Sequence, residues 1–242
     1  MKPTAAHVAR TIFALCSLVM FPQCSSDPPP QSAPPPPPRV ATKKQDNDFK
    51  YDTGDISDWN ESSRKKLRSV WAQCVGDART SKNHETLMGE ITLWFRTNRA
   101  GAVTFAIITD NSLGDRDAEK CILQAISATK WGEPVHSDVG EIKGYKWSLS
   151  SDDLRPADEG KPEQVMPAIT KAKSQISGCH EGLKGVATAT IYVKPGGKPL
   201  SAGIAVTDPG LETASDCLAE TLMKLTYVNK SSWPIKVRVE LP

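Results

Sequence analysis

The chain has 242 residues, 24% of them charged and 38% hydrophobic, so most of it can build a core and one or two domains fit its length. Its formal net charge is +2, and Lys2 and Arg10 lie in a leader without acids, so the remainder is near neutral. That argues against a binder of nucleic acid, which needs a basic face to meet phosphates.

The leader, residues 1–23, has a basic start and an apolar run from Thr11 to Phe21. The run is too short to span a bilayer and suits the apolar region of a secretory signal. No Ala-x-Ala cleavage site follows. Cys24, with Ser25, Ser26 and Asp27 after it, resembles the first mature residue of a bacterial lipoprotein, although Phe21, Pro22 and Gln23 depart from the usual small or aliphatic residues. Export is expected, with lipidation at Cys24 or simple secretion as the two outcomes. A lipid would hold the protein on the periplasmic face of the outer membrane; without it the protein would be periplasmic.

Residues 24–61 read as a linker. The tract "PPPQSAPPPPP" over 28–38 favours polyproline II, a stiff spacer of roughly 30 Å, or less often a ligand for an aromatic groove. Residues 42–61 are polar and acidic and read as disordered, with Trp59 either docked on the first domain or exposed.

From residue 62 an internal repeat emerges. Gly89, Gly101, Cys121 and Trp131 match Gly185, Gly197, Cys217 and Tyr227 at a constant offset of 96. Two copies are expected, 62–150 and 163–242, joined by a polar linker over 151–162. Each begins with a helix, marked by Leu67, Val70, Trp71 and Cys74, then by Val165, Ile169, Ala172, Ile176 and Cys179. A hairpin follows, "GEITLWFRTN" to "VTFAIITD" and "GVATATIYVK" to "PLSAGIAVTD", turning at "RAGA" and "PGGK". A second helix carries Ala118, Cys121, Ile122, Ala125 and Thr129, matched by Ala214, Cys217, Leu218, Thr221 and Leu225, with Asp208-Pro209 as a cap-then-Pro start. A last strand closes each copy, "GYKWSLS" and "PIKVRVELP". The fold class is therefore α+β: two tandem α-β-β-α-β domains, each a small antiparallel sheet with two helices on one face.

Four cysteines lie in these helices, one per helix. In an exported chain thiols oxidise, and two helices on one sheet face can bring their cysteines together. The expected bonds are Cys74–Cys121 and Cys179–Cys217, closing loops for which chain entropy gives about 4 kcal/mol each. Zinc is not expected, because no Cys-x-x-Cys pair exists and adjacent Cys179-His180 is poor ligand geometry. A catalytic thiol would need a placed histidine; His84 and His136 sit in loops without counterparts in the second copy. "PGGK" is a hairpin turn rather than a phosphate loop, and no Ser-His-Asp or His-Glu-x-x-His pattern is present. Asp115/Asp117 and Asp152/Asp153 read as surface or caps. Trp71, Trp94, Trp131, Trp147 and Trp233 read as packing residues, or as the lining of a ligand groove.

In "PIKVRVELP" the apolar Ile235, Val237, Val239 and Leu241 alternate with Lys236, Arg238 and Glu240 between prolines 234 and 242, as suits a sheet edge. On these residues each copy resembles the TonB C-terminal-like domain of the AgmX/PglI type, found in envelope and motility proteins of gliding bacteria. The likeness rests on a cysteine in each helix, the hairpin glycine, and an aromatic ten residues after the second cysteine. Lys130-Trp131-Gly132-Glu133-Pro134 is similar to the family's basic-Trp-x-Phe-Pro signature, with Glu133 in place of Phe. Val75 and His180 stand where the family has Tyr, and the second copy lacks the Trp-x-x-Pro pattern. The resemblance implies a last strand, Ile235, Lys236, Val237, Arg238, Val239 and Glu240, that accepts a partner's peptide by strand addition. The expected function is a non-enzymatic envelope protein binding another protein, without cofactor or metal. The alternative is a soluble periplasmic small-molecule or glycan binder with an aromatic groove between the copies.

Overall fold

Asn60 opens the first helix by accepting a hydrogen bond from the Ser63 N–H, and Asn83 closes it in a left-handed conformation. In the computed structural model, which describes residues 56–134, 137–150 and 154–242, this helix, α1, runs Glu61–Lys82. It turns Leu67, Trp71, Cys74, Val75 and Ala78 inward, while Val70, expected on that face, is exposed. Strands β1 (Gly89–Asn98) and β2 (Val103–Asn111) form the hairpin. Asp115 then caps α2 (Arg116–Ala128), and β3 (Val139–Leu149) returns along β1, giving an antiparallel sheet in the order β2-β1-β3.

The second half repeats this order with changes. A two-residue strand β4 (Asp158–Glu159) comes first. The first helix is split into a 3-10 turn (Pro162–Gln164), α3 (Met166–Lys171) and α4 (Lys173–Cys179), with Pro167 in the first turn of α3 and a break at Ala172. Next come β5 (Ala187–Val193), β6 (Pro199–Val206), a 3-10 turn (Pro209–Ala214) capped by Asp208, α5 (Ser215–Met223) and β7 (Ile235–Glu240). The second sheet has the order β4-β7-β5-β6. Because β4 runs parallel to β7, it is mixed rather than purely antiparallel.

The repeat spacing has a structural cause. Gly101 has φ +74° and Gly197 φ +87°, a region that L side chains avoid. A Cβ at Gly101 would collide with the Trp131 carbonyl, and one at Gly197 with the Tyr227 carbonyl. In return the Trp131 N–H donates to Gly101 O at 3.0 Å, and the Tyr227 N–H to Gly197 O at 2.8 Å. Hairpin glycine and aromatic are two sides of one contact, so they recur together.

Three boundaries differ from expectation. Residues 56–61 are built into the fold: Ile56 and Trp59 are buried, and Trp59 lies edge-on to Tyr145 with ring centroids 4.8 Å apart. The linker expected over 151–162 supplies β4. The halves also share their interior. Ile107, Trp94 and Phe105 of the first half pack in the second half's core, whereas Tyr192, Leu200 and Ala205 belong to the first's. The described residues fall in one compact unit, with two cores, one chiefly in each half, that exchange these residues across the join.

Buried and part-buried polar contacts join the halves. The Thr190 hydroxyl donates to Asn111 O at 2.6 Å and the Tyr192 hydroxyl to Met88 O at 2.8 Å. Glu119 of α2, fully buried, accepts from the Ile204 N–H of β6 at 3.0 Å and from Asn111 Nδ2 at 2.6 Å. Arg116 reaches Glu212 at 2.7 Å and Asp216 at 2.8 Å.

Candidate functional site

The alternation in β7 places Ile235, Val237 and Val239 in the core and Lys236, Arg238 and Glu240 on the other face. The Leu241 N–H donates to Ala187 O. By the two-residue period of an antiparallel pair, residues 235, 237 and 239 therefore aim their backbone groups at β5. Those of 236, 238 and 240 aim outward. On that outer side the Asp158 N–H donates to Pro234 O at 2.9 Å and the Gly160 N–H to Lys236 O at 2.8 Å. Beyond Lys236 the outward groups of Arg238 and Glu240 have no backbone partner among the described residues. The edge is thus half covered by β4 and half open.

Arg238 is exposed, and its guanidinium pairs with Asp110 of β2, across the join between the halves. Glu240 is exposed. Lys236 lies 5.9 Å from the Tyr192 ring centroid and 3.8 Å from Glu159.

Strand β3 is an edge of the first sheet. Its ladder with β1 slips at Leu93/Trp94, beside Gly144 at φ +77°, and it carries Lys143 and Lys146. A bulge and lysines are the devices that keep an edge from pairing with other chains. The β5–β7 ladder shows no slip from Thr188 to Val193. Of these two strands, β7 is the one whose ladder carries no bulge.

The four cysteines among the described residues form two bonds. Cys74–Cys121 ties α1 to α2, with Cα atoms 5.7 Å apart, and Cys179–Cys217 ties α4 to α5 at 5.6 Å. Cys24, together with the leader and the proline tract, lies outside the described residues.

The tryptophans do not gather in a groove. Trp59, Trp71, Trp131 and Trp147 are buried in the first core, and Trp94 is part-buried against the second. Trp233 uses its ring nitrogen to hold the Pro156 carbonyl at 2.8 Å. A groove of about 400 Å³ does lie between the halves, but Lys82, Arg116, Lys120, Asp216, Glu220 and Met223 line it, with no aromatic ring in its walls. Its charges are largely spent on each other, since Lys82 pairs with Asp115 and Asp117, and Lys120 with Asp216. Asp115 is a buried cap of α2 rather than a surface acid; Asp152 and Asp153 lie outside the described residues.

His84 and Ser201, 3.3 Å apart, form a contact that looks like activated-nucleophile chemistry. Both are fully buried, and the Ser201 hydroxyl donates to Gly114 O at 2.7 Å. His84 Nδ1 must then donate to Ser201, leaving Nε2 as a bare lone pair, which has no partner. Burial, followed by the charges of Lys82, Arg79 and Lys194, pushes the His84 pKa down to about 3. A neutral histidine sealed from solvent is a packing element. Among the described residues no cluster of three or more His, Cys, Asp or Glu could hold a metal ion, and no helix is long and apolar enough to cross a membrane.

Sequence reasoning missed β4, the Trp233–Pro156 contact, the Arg238–Asp110 pair and the buried Glu119. No protein-family model, curated protein or solved structure matches this chain.

Proposed function

We propose that the protein is an exported, non-enzymatic module of a bacterial cell envelope, anchored through Cys24, that binds a partner protein by adding the partner's extended segment to the edge of β7. The open outward backbone of Arg238 and Glu240, on a strand without a bulge, is the observation that carries this reading. The likeness of its cysteine, glycine and aromatic spacing to TonB C-terminal-like domains of the AgmX/PglI type supports it. The disulfides fit an oxidising compartment.

The test at the edge is Glu240→Pro. Glu240 is exposed and its N–H faces away from β5, so proline removes one outward donor and leaves the β5 ladder intact. Capture of partners from native envelopes should fall by about tenfold or more, from one lost hydrogen bond plus the obstructing ring. Undiminished capture by a folded variant rules the edge out. The anchor is tested separately by Cys24→Ala, which should shift the protein from the membrane fraction to the soluble one. Unchanged fractionation would remove Cys24 from the reading.

A further inference from the structure

Resting on the reading of β7 as the docking edge, we propose that residues 155–160 form a displaceable strap that occupies the edge in place of the partner, and that the partner segment is acidic and extended. The strap imitates strand addition from within the chain. Asp158 and Glu159 lie parallel to Ile235 and Lys236, with the Asp158 N–H donating to Pro234 O and the Gly160 N–H to Lys236 O. Its side chains match the edge in charge: Glu159 stands 3.8 Å from Lys236, the one cation the strap reaches on β7. Arg238 lies next along the same face, already paired with Asp110.

The attachment is light for an element of a core sheet. It is two residues long and parallel, and parallel pairing holds less well per residue. Asp158 and Glu159 are both exposed, and only Ala157 is buried. What fastens it is concentrated at its ends. Trp233 grips the Pro156 carbonyl while Arg155 lies over the Trp233 ring at 4.5 Å. Gly160 sits against β7 so closely that a Cβ there would strike Val237. Short, exposed segments with few buried apolar contacts are the ones that open locally while the rest stays folded. Releasing the strap would lengthen the free edge from Arg238–Glu240 to the whole of β7, which a partner strand needs for a continuous ladder.

The experiment uses the full chain and a fluorescent peptide copying residues 154–164. In Asp158→Pro/Gly160→Val, the proline removes the N–H bonded to Pro234 and the valine forces the strap off Val237. This chain should bind the peptide at least tenfold more tightly than the unaltered chain, measured by anisotropy. A peptide with lysine in place of Asp158 and Glu159 should lose that gain. Equal affinity of the two chains for the acidic peptide overturns the strap, and an equal gain for both peptides overturns the acidic partner. Hydrogen exchange on the unaltered chain gives an independent answer should the variant not fold. The Asp158 and Gly160 amides should exchange at least tenfold faster than those of Val237 and Val239, and equal protection overturns displacement. Glu240 lies beyond the strap, so the two readings fail differently. Partner capture lost in Glu240→Pro with no peptide gain in the opened chain keeps the edge and removes the strap. Capture untouched by Glu240→Pro removes the edge itself, and the strap's role with it.

Discussion

His84 and Glu119 are both closed to solvent, and burial moves their pKa values in opposite directions. Burial lowers His84 to about 3, aided by Lys82, Arg79 and Lys194. It raises Glu119 to about 7, against the Ile204 N–H, Arg116 and Asn111, which favour the carboxylate. The consequences for stability oppose each other. Below pH 6.5 the unfolded chain protonates His84 and the folded chain does not, so stability falls with pH toward 3. For Glu119 the folded state keeps a proton that the unfolded chain releases above about 4.5, so its contribution is full below pH 4.5 and lost as pH rises to 7. Between pH 4.5 and 6.5 the two slopes, each up to about 1.4 kcal/mol per pH unit, offset one another. His84→Asn should unmask the Glu119 slope, making the variant gain stability relative to wild type as pH falls through this window. Glu119→Gln should do the reverse. Denaturant midpoints at pH 4.5, 5.5 and 6.5 measure both, and variants that run parallel to wild type would refute the assignment. The slopes are informative even if each substitution lowers stability overall, as removing an acceptor from the Ile204 and Asn111 donors should.

At the scale of elements, what was legible in the sequence was whatever a local contact forces to recur. The hairpin glycine touches the aromatic after the second helix in both halves, so the pair reappears at a fixed offset and exposes the repeat. Cysteines on two helices of one sheet face are similarly constrained, and the α+β order followed from apolar period alone. Elements decided by distant partners were not legible. The strand β4 is two residues in a polar stretch, and only its pairing to β7 makes it a strand. The first helix of the second half keeps its apolar spacing through the break at Ala172, so periodicity reads one helix where there are two. Glu119 sits off the face expected for α2 from Ala118, Cys121, Ile122, Ala125 and Thr129, yet it is buried beside Ile122, Leu123 and Ile126, and β6 of the other half reaches its carboxylate. Gly203 leaves room for it: a Cβ there would collide with the Glu119 carboxylate. The candidate edge was identified by its alternation and bracketing prolines. The occupied part of that edge, and the tie from Arg238 to Asp110, depended on chain folded back from elsewhere.

At the scale of the whole molecule, the core residues exchanged between the halves and the bonds that join them predict one cooperative unit. The tryptophans allow a direct test. Trp59, Trp71, Trp94, Trp131 and Trp147 belong to the first half and only Trp233 to the second, so intrinsic fluorescence reports chiefly on the first. The Cys179–Cys217 bond lies wholly in the second, tying α4 to α5. Replacing both cysteines by serine leaves no lone thiol and removes about 4 kcal/mol of constraint on the unfolded chain. If the halves unfolded independently, the fluorescence transition would stay where it was while the second half melted early. If they unfold together, the loss is felt everywhere, and the tryptophan signal should fall by about 10 °C in the same single step seen by far-ultraviolet circular dichroism. Two separated transitions, or a tryptophan transition indifferent to the Cys179→Ser/Cys217→Ser change, would mean that Glu119, Thr190 and Tyr192 only dock the halves together. Coincident transitions would mean instead that the second half, which carries the β7 edge, draws its rigidity from the first.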